Sequence, residues 1–304
     1  MRMNIPKVSV IIPTYNRYPL VCRAIDSVLA QTYGNVECIV VDDASTDGTR
    51  DFLAERYGTK IKIYRNEFNR EKSFSRNVGI LASTADYLAF LDSDDMLTPD
   101  SVEMRMALFF DNPDFRGVSF GLRLGADDEV EKVARFLSTL ARGGQLTAEQ
   151  YIEDPKWLST NSYLLSRQAM LSCGMYNEGL TNGEDGELFL RLFASLKFRF
   201  CGTVVTRIYG DAPNRARDNA EKNIDRGFNL SRILEANAVI AEKFDFAIRH
   251  IKKKEYARLL KSYYRVRQYE KYREMFVEGL RNGLGPRTLW YWKRYFYALV
   301  KMLL

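Results

Sequence analysis

Cysteine is scarce and scattered in this chain. Cys22, Cys38, Cys173 and Cys201 lie far apart, each among apolar neighbours, and no Cys-x-x-Cys pair occurs. That spacing argues against a thiolate metal knot or a redox pair. Reduced core residues in a cytoplasmic protein are expected instead. There is one histidine, His250, in a stretch that reads as helix, where a surface role is expected. No run reaches the roughly 18 apolar residues that a membrane-spanning helix needs. Met1-Arg2-Met3-Asn4-Ile5-Pro6 leads straight into a strand-like segment, so no secretion signal is expected. Internal repeats and low-complexity segments are lacking too.

What is present is an ordinary globular composition. The chain has 304 residues, 46% of them hydrophobic, enough for one large domain or a domain with an appendage. The net charge of +6 is unevenly spread. Acids fill much of the first half. The region from about Arg249 to Lys301 is rich in lysine, arginine and aromatics. Such asymmetry points to an anionic partner for the C-terminal part. A membrane surface and a nucleic acid both satisfy it on charge alone.

Strands and helices alternate over the first two thirds. Val8–Ile12 and Val36–Val41 are continuous apolar runs of the buried parallel type. Between them Leu20, Val21, Ala24, Ile25, Val28 and Leu29 recur at helical spacing. Ser45 or Thr46 is placed to cap the next helix, with Asp47 in its first turn. Further strands are expected at Ile61–Tyr64, Tyr87–Leu91, Ser162–Leu165 and around Val204-Val205, and helices over Ser73–Ala82 and from about Asp185. Thr98-Pro99 reads as another helix start, with Thr98 as cap. The stretch from Asp127 to Glu153 reads as two helices joined at Gly143-Gly144. After Pro213 only helices are expected, with Gly279, Gly283, Gly285 and Pro286 breaking the chain before the last one. This pattern gives an α/β fold with a mostly parallel sheet flanked by helices. The division expected is 1–212 for the sheet domain and 213–304 for a helical extension.

Ligands of such sheets bind beyond the carboxyl ends of the strands. Three polar clusters follow predicted strands directly: Pro13-Thr14-Tyr15-Asn16, Asp42-Asp43 and Asp92-Ser93-Asp94. Asp92 and Asp94 are spaced to share a divalent ion with phosphate oxygens, or else form a solvated turn. Asp42 could accept from a base imide or a ribose hydroxyl, or simply end its strand. Tyr15 could stack on a base, or lie in the core. Arg76 could pair with a diphosphate, or with one of the acids nearby. Glu184-Asp185 precedes an amphipathic helix, where the helix dipole favours negative charge. Asp185 there is either a general base or a helix cap.

Taken together, these motifs resemble family 2 glycosyltransferases with the Rossmann-like GT-A fold, of the bacterial cell-surface polysaccharide type. The resemblance runs from about Val8 to Arg207. It rests on Val10-Ile11-Ile12-Pro13-Thr14-Tyr15-Asn16, on Val40 to Thr49, on Ser75-Arg76-Asn77-Val78-Gly79, on Phe90 to Asp95 and on Gly183-Glu184-Asp185. It implies inverting transfer of one sugar by single displacement, from a nucleotide-sugar with uridine diphosphate as carrier, to a glycan or lipid-linked acceptor. It implies Asp185, beside Glu184, as catalytic base, and Mn²⁺ or Mg²⁺ on Asp94 with Asp92. Pro13, Thr14, Tyr15, Asn16, Asp42, Asp43, Asp92 (nearer the ribose) and Ser93 would line the nucleotide-sugar site. Asn69, Lys72 and Arg76 would flank it. Trp157, Asn161 and the 127–153 insertion would shape the acceptor site.

Two departures stand out. Many relatives carry a histidine after the last core strand, but here the loop reads Ile208-Tyr209-Gly210-Asp211-Ala212-Pro213-Asn214-Arg215. Asp211 or Arg215 is the expected substitute. The Gln-x-x-Arg-Trp signature of processive synthases is missing as well. A nucleotidyltransferase is one alternative, but Pro13-Thr14-Tyr15-Asn16-Arg17 lacks the glycines of a triphosphate loop. A catalytically inactive sugar-nucleotide binder is another. Acids at the strand ends argue against nucleic acid. In the last segment, Leu289, Trp292, Tyr295, Phe296, Leu299 and Leu303 share one helical face, and Arg287, Lys293, Arg294 and Lys301 gather on another. A basic amphipathic helix over 287–304 suits the inner face of a membrane or docking on its own domain or on a second copy in a homodimer.

Overall fold

The computed structural model describes residues 5–125, 140–155, 158–209, 223–224, 230, 232–284 and 289–303. The chain forms two compact units, Met1–Glu178 with Arg191–Ala212, and Gly179–Leu190 with Pro213–Leu304. The segment 179–190, expected in the sheet domain, thus groups with the second unit.

The first unit is built on a nine-stranded mixed sheet. β1 (Val8–Thr14), β2 (Val36–Asp42), β3 (Lys62–Arg65) and β4 (Tyr87–Phe90) are parallel, in the order β3-β2-β1-β4. Beyond β4 the sheet is mixed. β8 (Tyr163–Ser166) is antiparallel to both β4 and β6 (Val118–Gly125). β9 (Phe198–Ile208) runs parallel to β6, and the short β5 (Met96–Leu97) and β7 (Gln145–Leu146) pair antiparallel with β9. The α/β sheet flanked by helices is therefore as expected, with its parallel part in the N-terminal half.

Alternation along β1 explains the layers. Val8, Val10 and Ile12 are fully buried on one face. They share a core with Val21, Ala24, Ile25 and Val28 of α1 (Leu20–Leu29), Leu53 of α2 (Thr49–Tyr57), and Val102 and Met106 of α4 (Ser101–Asp111). Each such aliphatic side chain contributes about 2 kcal/mol by leaving water. On the opposite face Ile11 meets α3 (Glu71–Ala82) at Gly79. A Cβ at Gly79 would lie 2.4 Å from Ile11 Cγ2, so the missing side chain sets how closely α3 lies on the sheet. Arg76 sits one helical turn earlier and is positioned by that contact.

Local starts differ from expectation at several places. α2 begins after Gly48, whose φ of 80° is left-handed, and its cap is supplied by Asp47 Oδ1, which accepts the Thr49 N–H at 3.1 Å. Ser45 and Thr46 are committed elsewhere. α4 starts at Ser101 with Asp100 before it, and the Thr98 carbonyl accepts the Ser101 N–H and Gln31 Nε2 in the preceding turn. Gly143-Gly144 does not join two helices: Gly143 donates to Phe200 and Phe200 to Gly144, which leads the chain into β7. α5 (Ala148–Glu153) follows with a Thr147–Gln150 capping box. Residues 126–139 of that insertion lie outside the described ones, as do Trp157, Asp211 and Arg215. Cys22, Cys38 and Cys201 are buried and free, while Cys173 is half-buried. Two more helices, α6 (Arg167–Ser172) and α7 (Glu184–Ser195), complete the set used below.

The second unit contributes α8 (Ala238–Lys243), α9 (Asp245–Arg265), α10 (Tyr269–Arg281) and α11 (Leu289–Leu303), with no strand among its described residues. Tyr256, Leu260, Tyr263, Tyr272, Phe276, Tyr291 and Ala298 form its core. Gly279 is no break. It lies within α10, and a Cβ there would stand 2.2 Å from the Tyr256 ring of α9. Gly283, at φ 66°, ends α10, and the Leu284 N–H returns to the Gly279 carbonyl at 2.8 Å. His250 is half-buried in α9. The buried side of α11 is not the face expected: Tyr291 and Ala298, which lie off that face, are buried, whereas Trp292 and Phe296 of that face are exposed. No described helix is long and apolar enough to cross a membrane.

Candidate active site

Because β1, β2 and β4 are parallel, their carboxyl ends meet at one edge of the sheet. Thr14 and Asp42 are register partners at that edge. Both are buried, at 3% and 0% exposure. Asp42 Oδ1 accepts the Ser45 N–H at 3.1 Å. Its Oδ2 has no hydrogen bond and lies 3.8 Å from Arg65 Nε, while Thr14 Oγ1 has no hydrogen-bond partner at all. Pro13 is buried within β1. Tyr15 is exposed, so it is not a core residue. Asn16, at φ 49°, ties the two strand ends together: its N–H donates to Ser45 Oγ, and its Oδ1 accepts the Thr46 N–H at 2.8 Å.

Asp43 has a different role from its neighbour. Its carboxylate accepts from Asn66 Nδ2 at 2.6 Å and from the Arg70 N–H at 3.0 Å. It therefore holds the loop ahead of α3. Asn69, at the end of that loop, is exposed, and its Oδ1 accepts the Glu71 N–H. Lys72 is half-exposed in the first turn of α3.

The acidic loop after β4 separates its carboxylates by environment. Asp92 Oδ1 accepts from Arg76 Nη2 at 2.7 Å, and the guanidinium lies 5.1 Å from the Tyr176 ring centre. Arg76 is almost wholly buried, whereas the Asp92 side chain is 40% exposed. Ser93 is buried and Asp94 half-exposed. The Asp94 carbonyl accepts from Arg23, which stacks on Tyr209 at 4.0 Å. Asp95 is taken up inside the protein by Asn161 Nδ2 at 2.7 Å and the Tyr209 N–H at 2.9 Å.

In the second unit, Gly183 at φ 87° precedes α7. Glu184, Asp185 and Glu187 occupy the first turn of α7. Glu184 is buried and Asp185 half-exposed. Asp185 Oδ1 accepts the Gly186 N–H at 2.8 Å.

The sequence model of glycosyl transferase family 2 matches residues 9–175, more than half of the chain. The chain belongs to glycosyl transferase family 2. Among curated proteins it is similar to the Escherichia coli WfgD, named as a UDP-Glc:alpha-D-GlcNAc-diphosphoundecaprenol beta-1,3-glucosyltransferase, at 37% identity over 105 residues. That match covers 34% of this chain and 42% of WfgD. An uncharacterized glycosyltransferase of Haemophilus influenzae is 27% identical over 190 residues, 62% of this chain and 63% of that protein. The chain thus spans less than two thirds of the length of these relatives. Among solved structures, S. aureus TarS 1–349 in complex with UDP-GlcNAc aligns with a TM-score of 0.61 at 18% identity, covering 91% of this chain and 92% of that one. That likeness shows the GT-A fold.

Three residues at the candidate site carry no local signal in the sequence. Asn161 was expected near the acceptor. It is buried behind the acidic loop, accepting the Asp92 N–H at 2.9 Å and donating to Asp95. Asn66 and Tyr209 likewise act by binding Asp43 and Asp95, across 23 and 114 residues of sequence. No local signal marks such contacts. Only the sheet order brings them together.

Proposed function

We propose that this family 2 domain transfers one sugar from a nucleotide-sugar, with uridine diphosphate as carrier, to a hydroxyl of a glycan or lipid-linked acceptor, with inversion. One observation carries the reading. Two register partners, Thr14 and Asp42, end their strands with buried oxygens that lack hydrogen bonds. Buried polar atoms are nearly always satisfied, and exceptions ask for an absent partner. A nucleoside with N–H and hydroxyl donors is such a partner, and exposed Tyr15 offers a ring to stack on it. The name of WfgD and the UDP-GlcNAc held by TarS support uridine as the base.

Among the described residues no three His, Cys, Asp or Glu side chains gather into a metal cage. Mg²⁺ and Mn²⁺ sites of nucleotide enzymes need no cage, because one or two carboxylates suffice when phosphates and water complete the shell. We assign that donor set to Asp94 and Asp92, the latter paired with Arg76; Asp95 is held inside the protein by Asn161 and Tyr209. When bound, the ion would offset the charge of the leaving diphosphate. Arg76 serves the same end through its place beside Asp92. Asp43 shapes the loop ahead of α3 and is not assigned a ligand contact.

In the transfer, the acceptor oxygen bonds to the anomeric carbon as the bond from that carbon to the diphosphate breaks. The nucleoside diphosphate leaves with the electron pair. We assign the acceptor proton to Asp185, whose Oδ1 is oriented by the Gly186 N–H. Glu184 is buried and is assigned no proton. Nucleotide release from the donor sugar, with water as acceptor, tests the assignment. Asp185→Asn lowers it by about 100-fold or more and leaves donor affinity within about twofold. Lost donor affinity in that variant contradicts it.

Peripheral contact with a membrane at its inner face belongs to the same proposal. Trp292, Phe296 and Val300 recur every four residues on α11 and are 37%, 58% and 54% exposed. Lys293 and Lys301 are exposed on the same helix. Sedimentation with anionic vesicles falls in Trp292→Ser/Phe296→Ser if the contact exists, and is unchanged if it does not.

A further inference from the structure

The helical unit holds a cavity of about 500 Å³ that the proposed sugar transfer does not use. Four cations line it: Lys261 and Arg265 of α9, Arg267 in the turn that follows, and Arg294 of α11. No acid lines it. Other basic side chains of the unit have carboxylate partners, as Arg249 has Asp245, Lys252 has Glu235 and Arg258 has Glu255. Among the described residues, none of the four cavity cations forms an ion pair.

The cations stand on an aromatic floor of Tyr264, Tyr269 and Trp290. The Arg294 guanidinium lies 3.3 Å from the Trp290 ring centre and 5.1 Å from that of Tyr264. Its Nε is buried without a hydrogen-bond partner. Lys261 Nζ is 5.7 Å from the same indole. Such contacts order the charges and limit their hydration. α10, 13 residues long, starts at Tyr269 with no side-chain cap and carries Glu270 in its first turn, outside the cavity lining. Solvated surface cations normally diverge. Here four line one cavity with no acid in its lining.

We propose that this cavity binds a phosphate-bearing group, with a diphosphate matching the charge best. Planar guanidinium groups suit bidentate contacts to phosphate oxygens, and the rings would take the organic part esterified to it. Two sources present this chemistry: the head of a phosphorylated lipid, and a soluble diphosphate. The proposal stands apart from the sugar-transfer reading, since it uses no residue of the donor edge.

The test uses the full chain with two probes. Inorganic pyrophosphate is titrated calorimetrically. Phosphatidylcholine vesicles with and without phosphatidic acid are sedimented with the protein. Arg265→Gln/Arg267→Gln alters two exposed side chains, and Arg294→Gln alters the packed one. Thermal melting establishes that each variant is folded. The expected result is binding of at least one probe, weakened about tenfold or more in the double variant at unchanged Tm. Loss confined to pyrophosphate identifies a soluble ligand. Loss confined to the acidic vesicles identifies a lipid head group. Binding unchanged within twofold in the double variant, or no binding of either probe by the wild type, overturns the proposal.

Discussion

Thr14 and Asp42 stand side by side at the ends of adjacent parallel strands, each with a buried oxygen that lacks a hydrogen bond. An unmet buried hydroxyl or carboxylate oxygen costs about 1–3 kcal/mol. The protein carries that cost in full at Thr14, and at Asp42 it is eased by Arg65 Nε 3.8 Å from Oδ2. Thr14→Val keeps the shape and removes the hydroxyl, so we expect the free protein to gain about 1 kcal/mol while UDP binds more weakly. Asp42→Asn is expected to weaken UDP about 10-fold to 100-fold, the worth of a hydrogen bond to a charged group. Urea unfolding and calorimetric titration read the two effects separately. A Thr14→Val variant that is both less stable and equally tight contradicts the assignment.

Asp92 and Asp94 are two residues apart and differ in kind. Asp92 pairs with the buried Arg76 at 2.7 Å, so Asp92→Ala removes a carboxylate partner of a buried charge. Breaking a buried pair in that way costs about 3–5 kcal/mol, and the half-exposed carboxylate of this pair places the expectation at about 3 kcal/mol or less. Asp94→Ala removes a half-exposed acid and is expected to change stability by about 0.5 kcal/mol at most. Both variants are expected to lose Mn²⁺-dependent UDP binding. Equal thermal stability of the two would show that the Arg76 pair does not hold the loop.

Glu37 gives the sheet an acid-sensitive clamp away from the donor edge. Burial raises its carboxyl, but hydrogen bonds from Lys62, Lys7 and Ser9 outweigh that and bring it from 4.5 down to about 2. Those partners link β2 to β3, to the residue ahead of β1, and to β1 itself. A depressed folded value means the stabilisation is fully present above 4.5 and is lost as pH falls towards 2. The stability difference between wild type and Glu37→Gln, measured by urea unfolding, is therefore expected to be constant near neutrality and to shrink through that window. A difference independent of pH refutes the clamp.

Gly79 and Gly279 each allow a close approach, one of α3 to β1 and one of α10 to α9. Gly79→Ala and Gly279→Ala are each expected to cost about 1–3 kcal/mol through overpacking, despite the better helix propensity of alanine. Chemical unfolding of each variant checks it. Because Arg76 follows the seat of α3, Gly79→Ala is also expected to weaken UDP binding, and Gly279→Ala is not.

The first 100 residues were legible because their signals are local. β1 and β2 are unbroken apolar runs, α1 has a clean helical stripe, and each polar cluster follows its strand directly. β6 was missed because Gly121 and Arg123 interrupt its apolar pattern, and β7 because two residues leave no period to read. Gly279 looked like a breaker, since nothing in the sequence shows that Tyr256 packs on it. The strand-end edge proposed for the donor is marked largely by motif. The division of labour within each acidic pair was not legible. Asp42 and Asp43 differ only in what faces them, and so do Asp94 and Asp95. Asn66, Asn161 and Tyr209, which decide the matter, are brought in by the tertiary fold.

The most direct test of the central claim is a thermal-shift panel of UDP-, GDP-, dTDP- and CMP-sugars, each with and without Mn²⁺. Ligand binding to the native state raises stability by mass action, by about 2.7 kcal/mol at a hundredfold excess over Kd. The account predicts a metal-dependent rise with a UDP-sugar that disappears in Asp94→Ala and persists in Asp185→Asn. No rise with any of these donors, or a rise indifferent to both Mn²⁺ and Asp94, would contradict it.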